Sequence, residues 1–265
     1  MVERDRRHFL KTVGGVTLGM TAVSGLVGLN GFSQTKAESV AFPWPYKKVD
    51  PIAAAERAYQ AYYQGGCMYG AFEGIVGELR EAVGAPYSSF PTAMMKYGAA
   101  GVSGWGTLCG ALNGAAAAIF LVHEGKTGNP IINELYAWHG AEALPNYKPR
   151  TPKFDKIVGS VADSQLCHIS VTRWCEKSGF KSGSKERAER CAWITASVVK
   201  YTVELLNKQA VGSFTVAHPV PVAVKECLSC HGKDGSVANV HATAHTSCTN
   251  CHTDVLKNHP VPLKK

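Results

Sequence analysis

The fold class of this chain is decided by residues 184–210, which read SKERAERCAWITASVVKYTVELLNKQA. Apolar side chains recur along this stretch at helical spacing, at Ala192, Ile194, Val198, Val199, Val203 and Leu206. Because such spacing places them on one face of an α-helix, they can be buried together. The sequence therefore predicts a long helix that packs one face into a core.

The sequence before this helix predicts further helices and few strands. Asp50 can cap a helix that begins at Pro51, because proline is favoured in the first turn, and Gly65-Gly66 ends it. Further helices are expected at residues 67–82, 104–124, 130–144 and 164–177. We therefore predict a mainly α protein with a helical domain at residues 38–211.

The composition is that of a folded protein with no affinity for nucleic acid. Of the 265 residues, 45% are hydrophobic and 18% are charged, which excludes disorder over most of the length. The formal net charge is +8, but the basic residues form no long run. We therefore expect that the chain binds no nucleic acid.

Two short motifs lie in a segment rich in Pro, His, Gly and Ser, which we interpret as a small irregular domain at residues 212–265. They read CLSCH at 227–231 and CTNCH at 248–252. In each motif, two thiols are spaced to bond to the two vinyl groups of one haem, and the next histidine becomes the proximal iron ligand. The sequence thus predicts two haem c groups, attached through Cys227, Cys230, Cys248 and Cys251, with His231 and His252 as proximal ligands.

A zinc ribbon is the competing interpretation, because two Cys pairs can bind one zinc ion. It is disfavoured because His231 and His252 directly follow the pairs, where a zinc ribbon does not need them. Disulfides between the pairs are disfavoured further. Nearby histidines can also supply the sixth ligand of each haem iron.

The distal ligands remain open among four histidines, which in order of preference are His241, His245, His218 and His259. Two of them are needed if each iron is bound by two histidines, and the others would be solvated loop residues. Two haems expose more apolar surface than so short a segment can cover. We therefore expect a homodimer that is joined near the haems.

The N-terminus predicts an export signal. Arg6-Arg7 precedes a mostly apolar, Gly-rich run at residues 13–31, as in a twin-arginine signal peptide, which we place at residues 1–37. An uncleaved membrane anchor is the alternative, but Gly, Ser, Thr and Asn interrupt the run. We expect a periplasmic protein with no membrane span in the mature chain. Since this route exports folded proteins, it also suggests a cofactor besides haem, which is attached after export.

Five further cysteines lie in the helical part, namely Cys67, Cys109, Cys167, Cys175 and Cys191. Cys67 and Cys109 lie beside glycine-rich turns and helix starts, which favour thiolates and iron–sulfur ligation. A cluster needs about four such ligands. On one straight helix Cys167 and Cys175 would be about 12 Å apart, so one of them is expected to be a bystander. Buried free thiols or disulfides are the alternative.

These features together resemble the split-Soret cytochromes c of sulfate-reducing bacteria over essentially the whole mature chain. The helical part also resembles the C_GCAxxG_C_C redox family. Residues 66–71, GCMYGA, stand where that family has its Gly-Cys-Ala motif, with Met68 in place of Ala. Residues 107–112, TLCGAL, match its Cys-Gly-Ala-Leu motif. The resemblance implies that the iron–sulfur ligands are Cys67, Cys109, Cys167 and Cys191, and that Cys175 is the extra cysteine.

The resemblance also implies a homodimer with four haems gathered at one end. Both irons of a chain would be bound by two histidines, and the partner chain can donate one of these. Because a saturated haem iron exchanges electrons without binding a substrate, we favour an electron carrier with redox partner proteins over an enzyme. A reductase of a small oxidised species such as nitrite is the first alternative. A cofactor-delivery or sensor protein is the second.

Overall fold

The computed structural model describes residues 40–237, 242, 244–252 and 259. The α-helices of this part are α1 (Pro51–Val83), α2 (Gly110–Val122), α3 (Gly125–Ala141), α4 (Cys167–Ser178), α5 (Lys185–Ala210) and α6 (Val222–His231). Short 3₁₀ helices lie at Tyr87–Ser89, Thr92–Gly98 and Cys248–Asn250. The strands are β1 (Ala143–Leu144) and β2 (Ser160–Val161), which pair antiparallel. The prediction of a mainly α protein is confirmed.

The core lies between α1 and α5, which contact each other more extensively than any other two elements described. The predicted apolar face of α5 is buried, with Val198, Val199 and Leu206 fully excluded from solvent. The helix α2 packs against α1 beside them and contributes Leu112 and Ile119 to the same core. Burial of each large aliphatic side chain contributes about 1.5–3 kcal/mol, so this face organises the helical part.

The glycine pair in α1 breaks the helix as predicted, although the hydrogen bonding continues across it. Gly66 has φ 81° and ψ −174°, which lie outside the helical region and in a conformation that favours glycine. At the start of α1, the Oδ1 atom of Asp50 accepts a hydrogen bond from the N–H of Ile52 at 2.9 Å. The kink turns the chain immediately before Cys67.

The predicted bounds of two helices are wrong. Residues 104–109 are not helical, and α2 begins only at Gly110, because the preceding loop contains left-handed residues such as Ala100, Val102 and Ser103. Similarly, α3 begins at Gly125, before Pro130, and ends at Ala141, because Ala143–Leu144 pairs with β2 instead.

The C-terminal segment contains more regular structure than its composition predicts. The first motif lies on α6, whose N-cap is Pro221, and Val224 of this helix is buried. The second motif begins with the 3₁₀ helix Cys248–Asn250. None of the helices in the described residues is long and apolar enough to cross a membrane. The predicted signal at 1–37 lies outside the described residues.

Candidate functional site

Four cysteines of the helical part line one small cavity, namely Cys67, Cys109, Cys167 and Cys191. They reach it from the kink of α1, the N-cap of α2, the first residue of α4 and the second turn of α5. Cys175 is not among the lining residues. The structure thus brings together the four cysteines that the resemblance selects, and the described residues form no disulfide.

A short backbone pairing holds two of these cysteines in place. The N–H of Cys109 donates to the carbonyl of Gln165 at 2.8 Å, and the N–H of Cys167 donates to the carbonyl of Thr107 at 2.7 Å. Because both bonds use main-chain atoms, the start of α2 and the start of α4 are fixed relative to each other. The spacing of their thiols is therefore set by the fold.

Close packing brings Cys67 against the start of α2. A Cβ atom at Gly110 would collide with the sulfur of Cys67 and would also lie 2.6 Å from the carbonyl oxygen of Gly98. Only glycine leaves room for this approach, which explains the glycine that follows Cys109 in the sequence. The kink at Gly66, directly before Cys67, also contributes to this close approach.

Burial makes three of the cavity thiols weaker acids than a free cysteine. It raises the pKa of Cys67 and Cys109 and raises that of Cys167 to about 11, and neighbouring thiols raise each further. Burial therefore opposes the effect of the helix start on Cys67 and Cys109, and the expectation of thiolates at these two residues stays a prediction. Metal binding would release protons from these thiols.

The four thiols of the cavity are of the kind and number that an iron–sulfur cluster needs. In the described residues no three His, Cys, Asp or Glu side chains converge closely enough to hold one metal ion. A zinc ion would need four sulfurs, each about 2.3 Å from it. An iron–sulfur cluster instead distributes four thiolates over several irons, so thiols spaced around a shared cavity suit it.

The two haem motifs meet through their first cysteines. The thiol of Cys248 lies close enough to that of Cys227 for the two to interact, and burial together with this neighbour raises the pKa of Cys248. The second motif is also tied to the helical part through Asn250. The Nη2 atom of Arg173, on α4, donates to the Oδ1 atom of Asn250 at 2.6 Å, and the Asn250 amide donates to the carbonyl of Asp163.

One pair of histidines has the spacing of two axial ligands. The rings of His231 and His259 have centroids 6.1 Å apart and planes inclined at 78°. Two imidazoles on opposite sides of one metal ion have centroids about 6 Å apart, because each metal–nitrogen bond is about 2 Å. Of the four predicted candidates, His259 is thus the one whose ring lies beside that of His231.

Two other candidates, His218 and His245, line a cavity of about 1030 Å³ beside α3. This volume suits a large organic ligand. The cavity reaches the first motif at Leu228 and Ser229, but its lining includes none of the motif cysteines or motif histidines. The remaining candidate, His241, lies outside the described residues.

A buried carboxylate anchors His218. The Nδ1 atom of His218 lies 2.6 Å from Oε1 of Glu134, which is fully buried on α3. The same oxygen also accepts a hydrogen bond from the Tyr201 hydroxyl at 2.7 Å. Burial acts to raise the pKa of Glu134, but its hydrogen bonds outweigh this and lower the pKa. The Nε2 atom of His218 lies 3.8 Å from the carboxylate of Glu142. A carboxylate on one ring nitrogen fixes which nitrogen can bind a metal.

Sequence reasoning missed Glu134, Arg173 and Asn250. Glu134 and Arg173 are charged residues in helices, and nothing in their spacing separates them from surface residues. Asn250 lies within the second motif, where only the cysteines and the histidine were assigned roles. These residues fasten the C-terminal segment to the helical part.

Comparison with known proteins gives the family. The family model described as "Putative redox-active protein (C_GCAxxG_C_C)" matches residues 69–205, beginning two residues after Cys67. The split-Soret cytochrome c of Desulfovibrio desulfuricans is 38% identical to this chain, and the match covers 94% of each. The chain belongs to the split-Soret cytochrome c family. The resemblance predicted from the motifs is confirmed.

The fold is also that of this family. A solved structure of the split-Soret cytochrome c from Desulfovibrio desulfuricans matches with a TM-score of 0.74 and 40% identity, covering 79% of this chain and 90% of the solved one. A novel iron centre is reported in that protein. Family membership makes this chain a redox protein of electron transfer and a c-type cytochrome.

Proposed function

We propose that this chain is an electron carrier with two haem c groups and a separate iron–sulfur centre. The observation that carries the proposal is the grouping of the thiols into two sets, one in the C-terminal motifs and one around the cavity between α1, α2, α4 and α5. The first set has the thiols and histidines that haem c requires, and the second has the four thiols that a cluster requires. Two redox centres in one chain suit electron transfer.

The histidine geometry supports a carrier over a reductase. The spacing of His231 and His259 suits an iron with both axial positions filled. Such an iron exchanges electrons without binding a small molecule such as nitrite. For the iron of the second motif, whose proximal ligand is His252, the candidates that line the large cavity are His218 and His245. His218 has its ring held by Glu134, which leaves Nε2 as its ligating atom.

The proposal includes a homodimer. Three valines on the approach to the first motif are strongly exposed, with exposed fractions of 61% at Val211, 55% at Val216 and 69% at Val222. Apolar side chains gathered on one segment are a common feature of protein interfaces. Burying them against a second copy would also reduce the solvent exposure of the haems. The donor and acceptor of electrons would be other redox proteins.

The proposal also includes export to the periplasm. It is supported by the twin-arginine pattern at residues 1–37 and by the presence of haem c motifs, since haem c is attached after export. Fractionation of cells into periplasm and cytoplasm tests it, with Arg6-Arg7 replaced by Lys-Lys as the variant. We expect the wild type in the periplasm and the variant without attached haem in the cytoplasm.

The iron-to-haem ratio of protein purified without oxygen tests the cofactor content, with haem measured as the pyridine haemochrome. Two haems with a [2Fe–2S] or a [4Fe–4S] centre give a ratio of about two or three. A ratio of about one would mean that all the iron is haem iron, and would contradict the iron–sulfur centre. Fewer than two haems per chain would contradict the assignment of one motif.

A further inference from the structure

A buried guanidinium lines the cysteine cavity. Arg190 lies on α5 directly before Cys191, and it is only 2% exposed. Its Nη2 atom donates to the carbonyl oxygen of Ser170 at 3.0 Å and to the Ser170 hydroxyl at 2.7 Å. Its Nε atom is buried and has no hydrogen-bond partner among the described residues. The side chain therefore has an N–H group that the surrounding protein does not satisfy.

The described groups that surround Arg190 do not neutralise its charge. It takes part in none of the ion pairs of the described residues. The Trp174 ring lies 6.0 Å from its Cζ atom. His139, which is fully buried on α3, has its pKa lowered to about 4 by burial and by Arg190, so it is uncharged at neutral pH. Glu189, the acidic residue next to Arg190 on α5, instead accepts hydrogen bonds from Tyr59 and Trp193.

An unpaired buried charge is strongly unfavourable, so an anion is expected beside this guanidinium. The remaining neighbours are the thiols of the cavity, Cys67, Cys109, Cys167 and Cys191. Four thiolates around an iron–sulfur cluster carry a net negative charge, and the charge and hydrogen bonds at such a cluster set its reduction potential. A cluster bound by these thiolates would therefore supply the negative charge that Arg190 lacks.

We propose that Arg190 is the counter-ion of the iron–sulfur centre and that it raises the reduction potential of this centre. The inference rests on the iron–sulfur centre of the proposed function. Reduction makes the centre more negative by one charge, so a buried positive charge stabilises the reduced state more than the oxidised state. Removal of that charge should lower the potential.

A second arginine on the same helix should have a smaller effect. The Nη1 atom of Arg187 lies 4.0 Å from the sulfur of Cys191, and its Nε atom donates to the carbonyl of Ser182 at 2.6 Å. Arg187 is only partly buried, so water screens its charge more strongly than that of Arg190. The expected order of effects is therefore Arg190 first and Arg187 second.

The test is a redox titration of the cluster followed by electron paramagnetic resonance. In Arg190→Gln we expect the ratio of reduced to oxidised cluster at a fixed potential to fall at least tenfold, which is 59 mV for a one-electron couple. The control Lys208→Gln removes the same charge about 27 Å further along α5 and should change nothing. The haem potentials of the same samples should shift less than the cluster potential.

An unchanged cluster potential in Arg190→Gln overturns the inference and leaves the proposed function intact. A wild-type protein without a cluster signal overturns both. If Arg190→Gln keeps its haem spectrum but loses the cluster, Arg190→Lys decides the question. Retention of the cluster in Arg190→Lys supports a requirement for positive charge at this position, and loss of the cluster in that variant overturns the inference.

Discussion

Glu134 holds His218 at two points, because its Oε2 atom accepts the backbone N–H of His218 at 2.8 Å while its Oε1 atom lies 2.6 Å from the ring Nδ1. The carboxylate is buried on α3, and the histidine lies between α5 and α6. This pair therefore attaches the segment that leads to the haem motifs to the helical part. Its removal should affect both stability and the position of the His218 ring.

We expect Glu134→Gln to lower the free energy of unfolding by about 3 kcal/mol, because it removes a buried charged acceptor from several donors. The measurement is denaturation followed by far-ultraviolet circular dichroism. Glu142→Gln is the matched control, since Glu142 is 44% exposed and lies 3.8 Å from the His218 ring, and it should cost less than about 1 kcal/mol. Equal losses in the two variants would contradict the anchoring role.

Replacement of His259 by Ala should open one axial position of one haem. We expect half of the haem to become high-spin and to bind carbon monoxide when reduced, because the iron opposite His231 loses its sixth ligand. Absorption spectra with and without carbon monoxide measure this. His168→Ala, an exposed histidine of α4, is the control and should leave the spectra unchanged. A low-spin spectrum in His259→Ala would show that another histidine binds that iron.

Two serine variants on α4 separate a ligand from a bystander. Cys167→Ser should lose most non-haem iron, because Cys167 lines the cavity with the other three thiols, whereas Cys175→Ser should keep it. Both cysteines lie on one helix and both substitutions replace sulfur by oxygen, so the pair is closely matched. The non-haem iron content per haem is the measurement. Equal iron loss in both variants would contradict the four-cysteine assignment.

His139 should make the protein less stable in acid. Burial and Arg190 lower the pKa of this histidine from 6.5 to about 4. Between these values the unfolded chain binds a proton that the folded protein does not, so stability falls as the pH falls through this range, by about 3 kcal/mol. His139→Leu has no side chain at this position that can bind the proton. Its free energy of unfolding should therefore fall less than that of the wild type between pH 6.5 and 4. The same slope in both proteins would refute this origin.

An aspartate at position 222 tests the proposed dimer. Val222 is 69% exposed, so Val222→Asp should not disturb the fold of one chain, but a charge buried in an interface should raise the dimer dissociation constant at least tenfold. Light scattering after size-exclusion chromatography gives the mass. Val161→Asp, which alters a valine 46% exposed on β2, is the control and should remain dimeric. A Val222→Asp variant that remains dimeric would show that Val222 does not lie in the dimer interface.

The sequence predicted the helices well where apolar spacing and a cap agree. In α5 the Ser184 side chain accepts from the N–H of Arg187 at 3.1 Å, and the predicted apolar face is buried. The start of α2 was not predictable in this way, because residues 104–109 continue a loop with left-handed residues, in which Gly104 and Gly106 also have positive φ. Helix α6 was missed because prolines dominate its surroundings, although Pro221 stands at its N-cap.

The cysteines of the candidate site were predictable from sequence, but the charges around them were not. The two haem motifs and the cysteine motifs of the family identify the thiols by their fixed spacing. Arg190 and Glu134 are single charged residues within helices, and only the packing of other helices over them makes them buried. Burial of this kind depends on residues far away in the chain, so a local pattern does not contain it. The division at 211/212 remains a prediction.

Leu166 and Cys167 are neighbours in the chain, yet the first lines the large cavity beside α3 and the second lines the cysteine cavity. The same stretch of backbone thus contributes adjacent residues to the linings of both spaces. A small rotation of that peptide would displace a thiol on one side and reshape the large cavity on the other. A substitution at Leu166, made to reshape the large cavity, would therefore act on the residue next to a cysteine of the other cavity.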